Sequence, residues 1–224
     1  MNDQILQQLY EFISESKRDM LDQIAAERSN HCTVVLEDIV KEFNSSAVLR
    51  SCDCFGVQTL NIIAENQEFE VQREIARGAG NWVDVHIYDG TNSPGLKCIN
   101  DLKSMGYQVV ATSPHASQSI NDIQIEQPIA LVFGTERHGI SETVLKNADQ
   151  LVKIPMFGFT ESFNISVSAA VILSQLRNRL EASTLDWKLS QEEQVKLKIK
   201  WCTKIIRNGE SVEAEIRRRI LEKE

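Results

Sequence analysis

Residues 128–133, PIALVF, are apolar at every position and stop at a glycine. A strand with one wet face alternates apolar and polar residues, whereas a strand covered on both faces reads as a continuous apolar run. This run therefore calls for a parallel sheet with helices on both sides. The rest of the chain supplies one. Stretches 33–40, 57–65, 82–88, 108–112 and 151–154 read as strands. Helical patterns lie between them at 46–54, 68–80, 94–105 and 141–147. The alternation predicts one parallel α/β domain from about residue 30 to 180. In such sheets ligands bind beyond the carboxyl ends of the strands. Three loops leave those ends: ATSPHAS at 111–117, GTERHGIS at 134–141 and PMFGFTESFN at 155–164.

The last loop belongs to the stretch 154–171, IPMFGFTESFNISVSAAV. It carries Thr160, Ser162 and Asn164 and passes into a helix with Ile165, Ala169 and Ile172 on one side. A helix start offers unpaired N–H groups and a positive dipole end, so it can hold a small anion, or it can simply be capped by Asn164. After the first strand, Asn44 or Ser45 can cap a helix from about Ser46, closed by Gly56. Arg50 lies six residues after Asn44, beside Ala47, Leu49 and Cys52. It either snorkels to water or is aimed at an anion. GTERHGIS has Gly134, Gly139 and Ser141 of a phosphate-binding loop, but Ile140 stands where that loop needs lysine. The dinucleotide fingerprint GxGxxG is absent as well. What remains is a loop suited to a nucleoside without phosphates, with Glu136 as its polar candidate.

Outside the domain, residues 3–28 read as two short amphipathic helices, with Ile5, Leu9 and Phe12 on one face and Met20, Leu21 and Ile24 on another. Towards the end, Ser190 and Glu193 form a capping box, Leu197, Trp201 and Ile205 share a face, Gly209 ends that helix and Ser211 starts the next. The expected division is a helical extension over 1–30, the α/β domain over 31–182 and a helical tail over 183–224. The formal charge of −8 argues against bulk electrostatic binding of nucleic acid. From Arg177 onward, however, 12 Lys and Arg face 9 Asp and Glu, a net of +3 against −11 for the residues before it. Arg177, Arg217, Arg218 and Arg219 in this region, with Arg18 and Arg28 near the start, are either phosphate contacts or solvated helix charges. No apolar run reaches the roughly 18 residues of a membrane helix, and no secretory signal opens the chain. Five cysteines without framework spacing suit a reducing cytosol, and neither they nor the four histidines form a metal motif.

Three blocks together resemble the SpoU/TrmH family of RNA ribose 2′-O-methyltransferases, in the SPOUT superfamily. NSSAVLRSCDCFGV, with Asn44 and Arg50, is similar to its first motif; LVFGTERHGIS, with Glu136 and Gly139, to its second; IPMFGFTESFNISVSAAVIL, with Pro155, Ser162 and Asn164, to its third. The flanking helices resemble the branch that methylates the D-loop guanosine of tRNA. The resemblance implies a parallel-sheet domain whose C-terminal segment is threaded as a deep trefoil knot, flanked by N- and C-terminal helices. It also implies a cytoplasmic homodimer acting on tRNA, with S-adenosylmethionine as methyl donor and no metal. Donor contacts would be Thr112, Phe133, Gly134, Gly139, Ile154, Met156, Ser162 and Phe163. Arg50, Asn44, Glu136, Ser162 and Asn164 would form the catalytic set, Arg50 fixing and polarising the acceptor. The alternatives are a different tRNA position, an rRNA, a catalytically idle RNA-binding relative, or an unrelated α/β enzyme.

Overall fold

The computed structural model describes residues 1–39, 41–65, 78–135 and 138–222. They form two compact units, one of Asn30–Trp187 and one joining Met1–Ser29 to Lys188–Glu224. The expected helix over 68–80 falls, apart from its last three residues, outside the described residues, as does Glu136.

The larger unit contains β1 (Cys32–Glu37), α3 (Glu42–Cys54), β2 (Thr59–Ile63), β3 (Asp84–Tyr88), α4 (Pro94–Ser104), β4 (Gln108–Thr112), β5 (Gln118–Ser119), β6 (Ile129–Phe133), α5 (Glu142–Asn147), β7 (Gln150–Lys153) and α6 (Ile165–Glu181). Among the described residues the sheet has seven strands in the order β3-β2-β1-β6-β4-β7-β5. Every neighbouring pair runs parallel. Alternate residues of the central strands point to opposite faces. Val34, Leu36, Leu131 and Phe133 pack with α3 and α6. Val35, Ala130 and Val132 pack with Cys98, Ile99 and Leu102 of α4 and Val144 of α5. That double burial is why 129–133 is apolar throughout.

Two differences from the sequence reading have identifiable reasons. α3 begins at Glu42 with Lys41 at its cap position, so Asn44 lies inside the first turn and does not cap. The two-residue β5, flanking β7, was missed because so short a strand carries no periodicity.

The smaller unit packs α1 (Asn2–Tyr10), α2 (Glu15–Ala26), α7 (Gln191–Ile205) and α8 (Gly209–Leu221). The termini, expected as separate extensions, are here one body. α1 buries Ile5 and Leu9 as expected, but Phe12 lies beyond the helix end and is 59% exposed. α2 buries Leu21 and Ala25, four apart on one stripe, and leaves Met20 and Ile24 exposed. Adjacent residues 20 and 21 are turned about 100° from each other, so a narrow stripe takes only one of them. Ser190 and Glu193 form the expected capping box. Gly209 does not end α7; it opens α8 after Asn208, which adopts a left-handed conformation. A β-carbon on Gly209 would stand 2.1 Å from the Thr203 carbonyl oxygen. Gly209→Ala, which raises helix propensity, is therefore expected to destabilise the protein by about 1–3 kcal/mol. Urea unfolding checks this; unchanged or higher stability would contradict the close approach.

Candidate active site

Because the sheet is parallel, the carboxyl ends of β1, β6, β4 and β7 share one edge. The register places Leu36 beside Phe133, Ala111 beside Val132, and Thr112 beside Val152. The three loops of the sequence reading all leave this edge. Strand order also reverses here: the chain leaving β1 turns to α3 on one face, and the chain leaving β6 turns to α5 on the other. Such a reversal is where open α/β sheets bind ligands.

The first and third motifs meet directly. Asn44, buried in the first turn of α3, accepts a hydrogen bond of 3.2 Å through Oδ1 from Asn164 Nδ2. Asn164 caps α6: its Oδ1 accepts from the Ser166 N–H at 2.9 Å and from the Ser166 hydroxyl at 2.6 Å. The loop leading into it is open to solvent. Ser162 is exposed, Phe163 is half-exposed, and Phe157 and Phe159 stand out at 98% and 110% exposure. Ile154, at the loop's start, packs against the core, and Met156 is half-buried.

The second motif is a tight turn at the end of β6. Thr135 and Gly139 exchange backbone hydrogen bonds of 2.9 Å each way. This fold-back brings Gly134 so close that a β-carbon there would lie 2.2 Å from the Gly139 carbonyl. Gly139 itself has φ +69, a left-handed conformation natural to glycine. Beside the turn, Thr112 at the end of β4 donates its hydroxyl to the Val132 carbonyl at 2.9 Å.

A residue the sequence reading passed over lies at the same edge. Glu37, the last residue of β1, is 3% exposed. Its carboxylate accepts from the Ser141 N–H at 2.8 Å and from the Ser141 hydroxyl at 2.6 Å. Burial pushes this carboxyl above the usual range, while the two Ser141 bonds pull it back. The available signal was an acid closing an otherwise apolar strand, TVVLE.

Other candidates are placed differently from the expectation. Arg50 is exposed on α3. Six residues separate it from Asn44, about 9 Å along the axis and on another side of the helix. Asn44 therefore does not organise Arg50 within one chain; its side chain turns inward to Asn164. Arg28 is 2% exposed and lies over the Trp201 ring at 5.4 Å, so it packs the helical unit and does not reach a phosphate. Arg18 donates to the Ile13 carbonyl at 3.1 Å. Arg177 stacks over Trp187 at 4.4 Å and pairs with Glu181. In α8, Arg217 pairs with Glu213, Arg218 with Glu215 and Glu222, and Arg219 with Glu215. No helix among the described residues is long and apolar enough to cross a membrane.

A parallel α/β domain whose three motifs share one sheet edge is the class that the comparisons identify. A family model described as the SpoU rRNA Methylase family matches residues 31–174, and the chain belongs to that family. The chain is 33% identical over 217 residues to the tRNA (guanosine(18)-2′-O)-methyltransferase of Borreliella burgdorferi, covering 95% of this chain and 98% of that one. Among solved structures it is similar to the A. aeolicus TrmH/SpoU tRNA modifying enzyme, with a TM-score of 0.75, 28% identity and coverage of 86% and 98%. It also shares its fold with the SpoU methyltransferase AviRb from Streptomyces viridochromogenes in complex with AdoMet, at a TM-score of 0.60, 21% identity and coverage of 72% and 62%.

Variants at Asn164 separate its two roles. Asn164→Ala removes both the cap and the link to Asn44, whereas Asn164→Ser keeps a capping hydroxyl. Asn164→Ala is expected to cost about 0.5–2 kcal/mol for the cap and about 0.5–1.5 kcal/mol for the link. Asn164→Ser is expected to lose the second part only, read from urea unfolding of the two variants side by side.

Proposed function

We propose that this protein is an S-adenosylmethionine-dependent tRNA 2′-O-methyltransferase that modifies the D-loop guanosine, position 18. The observation that carries the reading is the near full-length similarity to the Borreliella burgdorferi enzyme of that name. The three motifs gathered at one sheet edge support it.

The donor brings a sulfonium-activated methyl group, so the protein has to hold it, orient the acceptor and manage one proton. Backbone at Phe133, Gly134 and Gly139, with the side chains of Thr112, Ile154, Met156 and Phe163 and the loop residue Ser162, holds the donor. The adenine needs an apolar slot and backbone hydrogen bonds but no phosphate-binding lysine, which agrees with Ile140 in the glycine turn. AviRb, solved with AdoMet, supports the choice of donor. Asn44 and Asn164 fix the helix starts of α3 and α6 against each other, and Ser162 with Asn164 shapes the donor loop.

The acceptor 2′-hydroxyl must lose its proton as it attacks. Arginine stays protonated near neutral pH and is a poor base. Arg50 therefore acts as a fixed cation that grips an RNA phosphate and stabilises the developing alkoxide. Glu136 takes the proton or orients Arg50. Exposed ion pairs contribute only about 0–1 kcal/mol, so RNA phosphates can displace the glutamates from Arg217, Arg218 and Arg219; Arg18 in the helical unit and Arg177 in the α/β unit are further phosphate contacts. The active form is a cytoplasmic homodimer, supported by the outward position of Arg50 and by Val167 and Val171 exposed on α6. The segment after β7 is threaded as a trefoil knot. In support, β7 lies between β4 and β5, so the 113–117 connection spans its carboxyl end and the departing chain must pass it.

Methyl transfer from labelled S-adenosylmethionine to an unmodified tRNA transcript, with the product nucleotide mapped, tests the function. The expected product is 2′-O-methylguanosine in the D-loop. Label elsewhere in tRNA would move the protein to another branch, and a protein that does not bind the donor would favour an idle scaffold. Arg50→Lys keeps the charge and loses the planar fork. It is expected to lower kcat about 10²-fold, with donor affinity retained in a direct titration. Near-normal turnover would remove any role that depends on the guanidinium shape.

A further inference from the structure

We propose that Glu37 is a positioning residue for donor binding, pinning through Ser141 the exit of the glycine turn in the shape that S-adenosylmethionine requires. The inference rests on the methyltransferase reading above and adds a residue outside its three motifs.

The turn has two ends. Its entry is rigid, because Phe133 is held in the sheet beside Leu36 and Gly134 is crowded against Gly139. Its exit is Ser141, which begins α5, a helix of six residues that gives little anchorage alone. Glu37 supplies the missing anchor from the neighbouring strand. One carboxylate oxygen takes the Ser141 N–H and the other takes its hydroxyl. The same hydroxyl oxygen accepts from the Val144 N–H at 3.3 Å, so β1, the turn and α5 are joined in one relay. Charge-assisted bonds of this kind are short and strong, and burial away from water strengthens them. The close packing at Gly134 leaves the backbone no slack. A shift of Ser141 is transmitted to Gly139 through Ile140, and so to the backbone edge that faces the donor.

Glu37 touches neither donor nor acceptor in this account, so its loss should weaken donor binding selectively. Glu37→Gln keeps shape and size but cannot accept both Ser141 bonds. Ser141→Ala removes one bond with little change in volume, and Ser141→Thr keeps the hydroxyl. Calorimetric titration with S-adenosylmethionine is expected to give a Kd about tenfold higher for Glu37→Gln and several-fold higher for Ser141→Ala, with Ser141→Thr close to wild type. In steady-state methylation of tRNA transcript, the KM for donor should rise in the same proportion while the KM for tRNA stays within about twofold. The double variant Glu37→Gln/Ser141→Ala should bind donor no worse than the weaker single variant. Thermal melting of each variant without donor establishes that it is folded. Folded variants with wild-type donor affinity would overturn the inference, as would equal losses for donor and tRNA. A wild-type protein that binds no donor would instead bring down the methyltransferase reading together with this inference, a result separable from the first two.

Discussion

The structure depends on a parallel sheet that is buried on both faces. Water cannot satisfy the central strands, so apolar side chains cover both surfaces and helices must lie above and below. Parallel pairing then sends every strand's carboxyl end to one edge, and each loop that leaves this edge is a candidate for chemistry. The reversal of order between β1 and β6 parts the connections, one to α3 and one to α5. Residues 120 apart in sequence, Asn44 and Asn164, and residues 104 apart, Glu37 and Ser141, become hydrogen-bond partners at that edge.

The two links do different work. The Asn44–Asn164 bond joins the starts of two helices on the same face of the sheet. The Asn164 oxygen is occupied by Ser166, so the start of α6 is closed at that point by its own cap. The Glu37–Ser141 link instead reaches from one strand to the turn after its neighbour. Between them, the glycine turn is held by the paired backbone of Thr135 and Gly139 and by the Thr135 hydroxyl, which accepts from the His138 N–H at 2.9 Å. A rigid frame of this kind suits a reaction whose donor is already activated, because what remains is orientation.

The charge pattern follows the same economy. Several basic residues of this acidic chain sit in local partnerships. Three arginines of α8 each lie within a turn of a glutamate, and Arg177 rests on Trp187. Exposed pairs of this sort hold weakly, so a cation can be silent in the free protein and available to a polyanion. Arg28 is of another kind: its neighbour Trp201 is core, and its side chain packs in the helical unit.

Much of this was legible in the residues themselves. The apolar centre of 108–112 and the apolar run at 128–133 marked strands because side-chain patterning is local and the backbone follows it. Asn164 as a cap and the Ser190–Glu193 box were readable because capping partners lie within one turn. The three motifs marked the family because each is a contiguous block of residues. Where the reading failed, the deciding partner was distant in sequence. Asn44 looked like a cap until Asn164 claimed its side chain, Arg28 looked like a surface cation until Trp201 covered it, and Gly209 looked like a stop until Thr203 crowded it. Glu37 was unreadable as more than a strand end, since its significance lies in a serine that folding brings beside it. The sequence alone determined which segments are strands and helices and which residues can carry chemistry, because those choices are made by neighbours along the chain. Which polar groups are spent on holding the frame was decided only by the tertiary structure, because a buried donor or acceptor must find its partner in space.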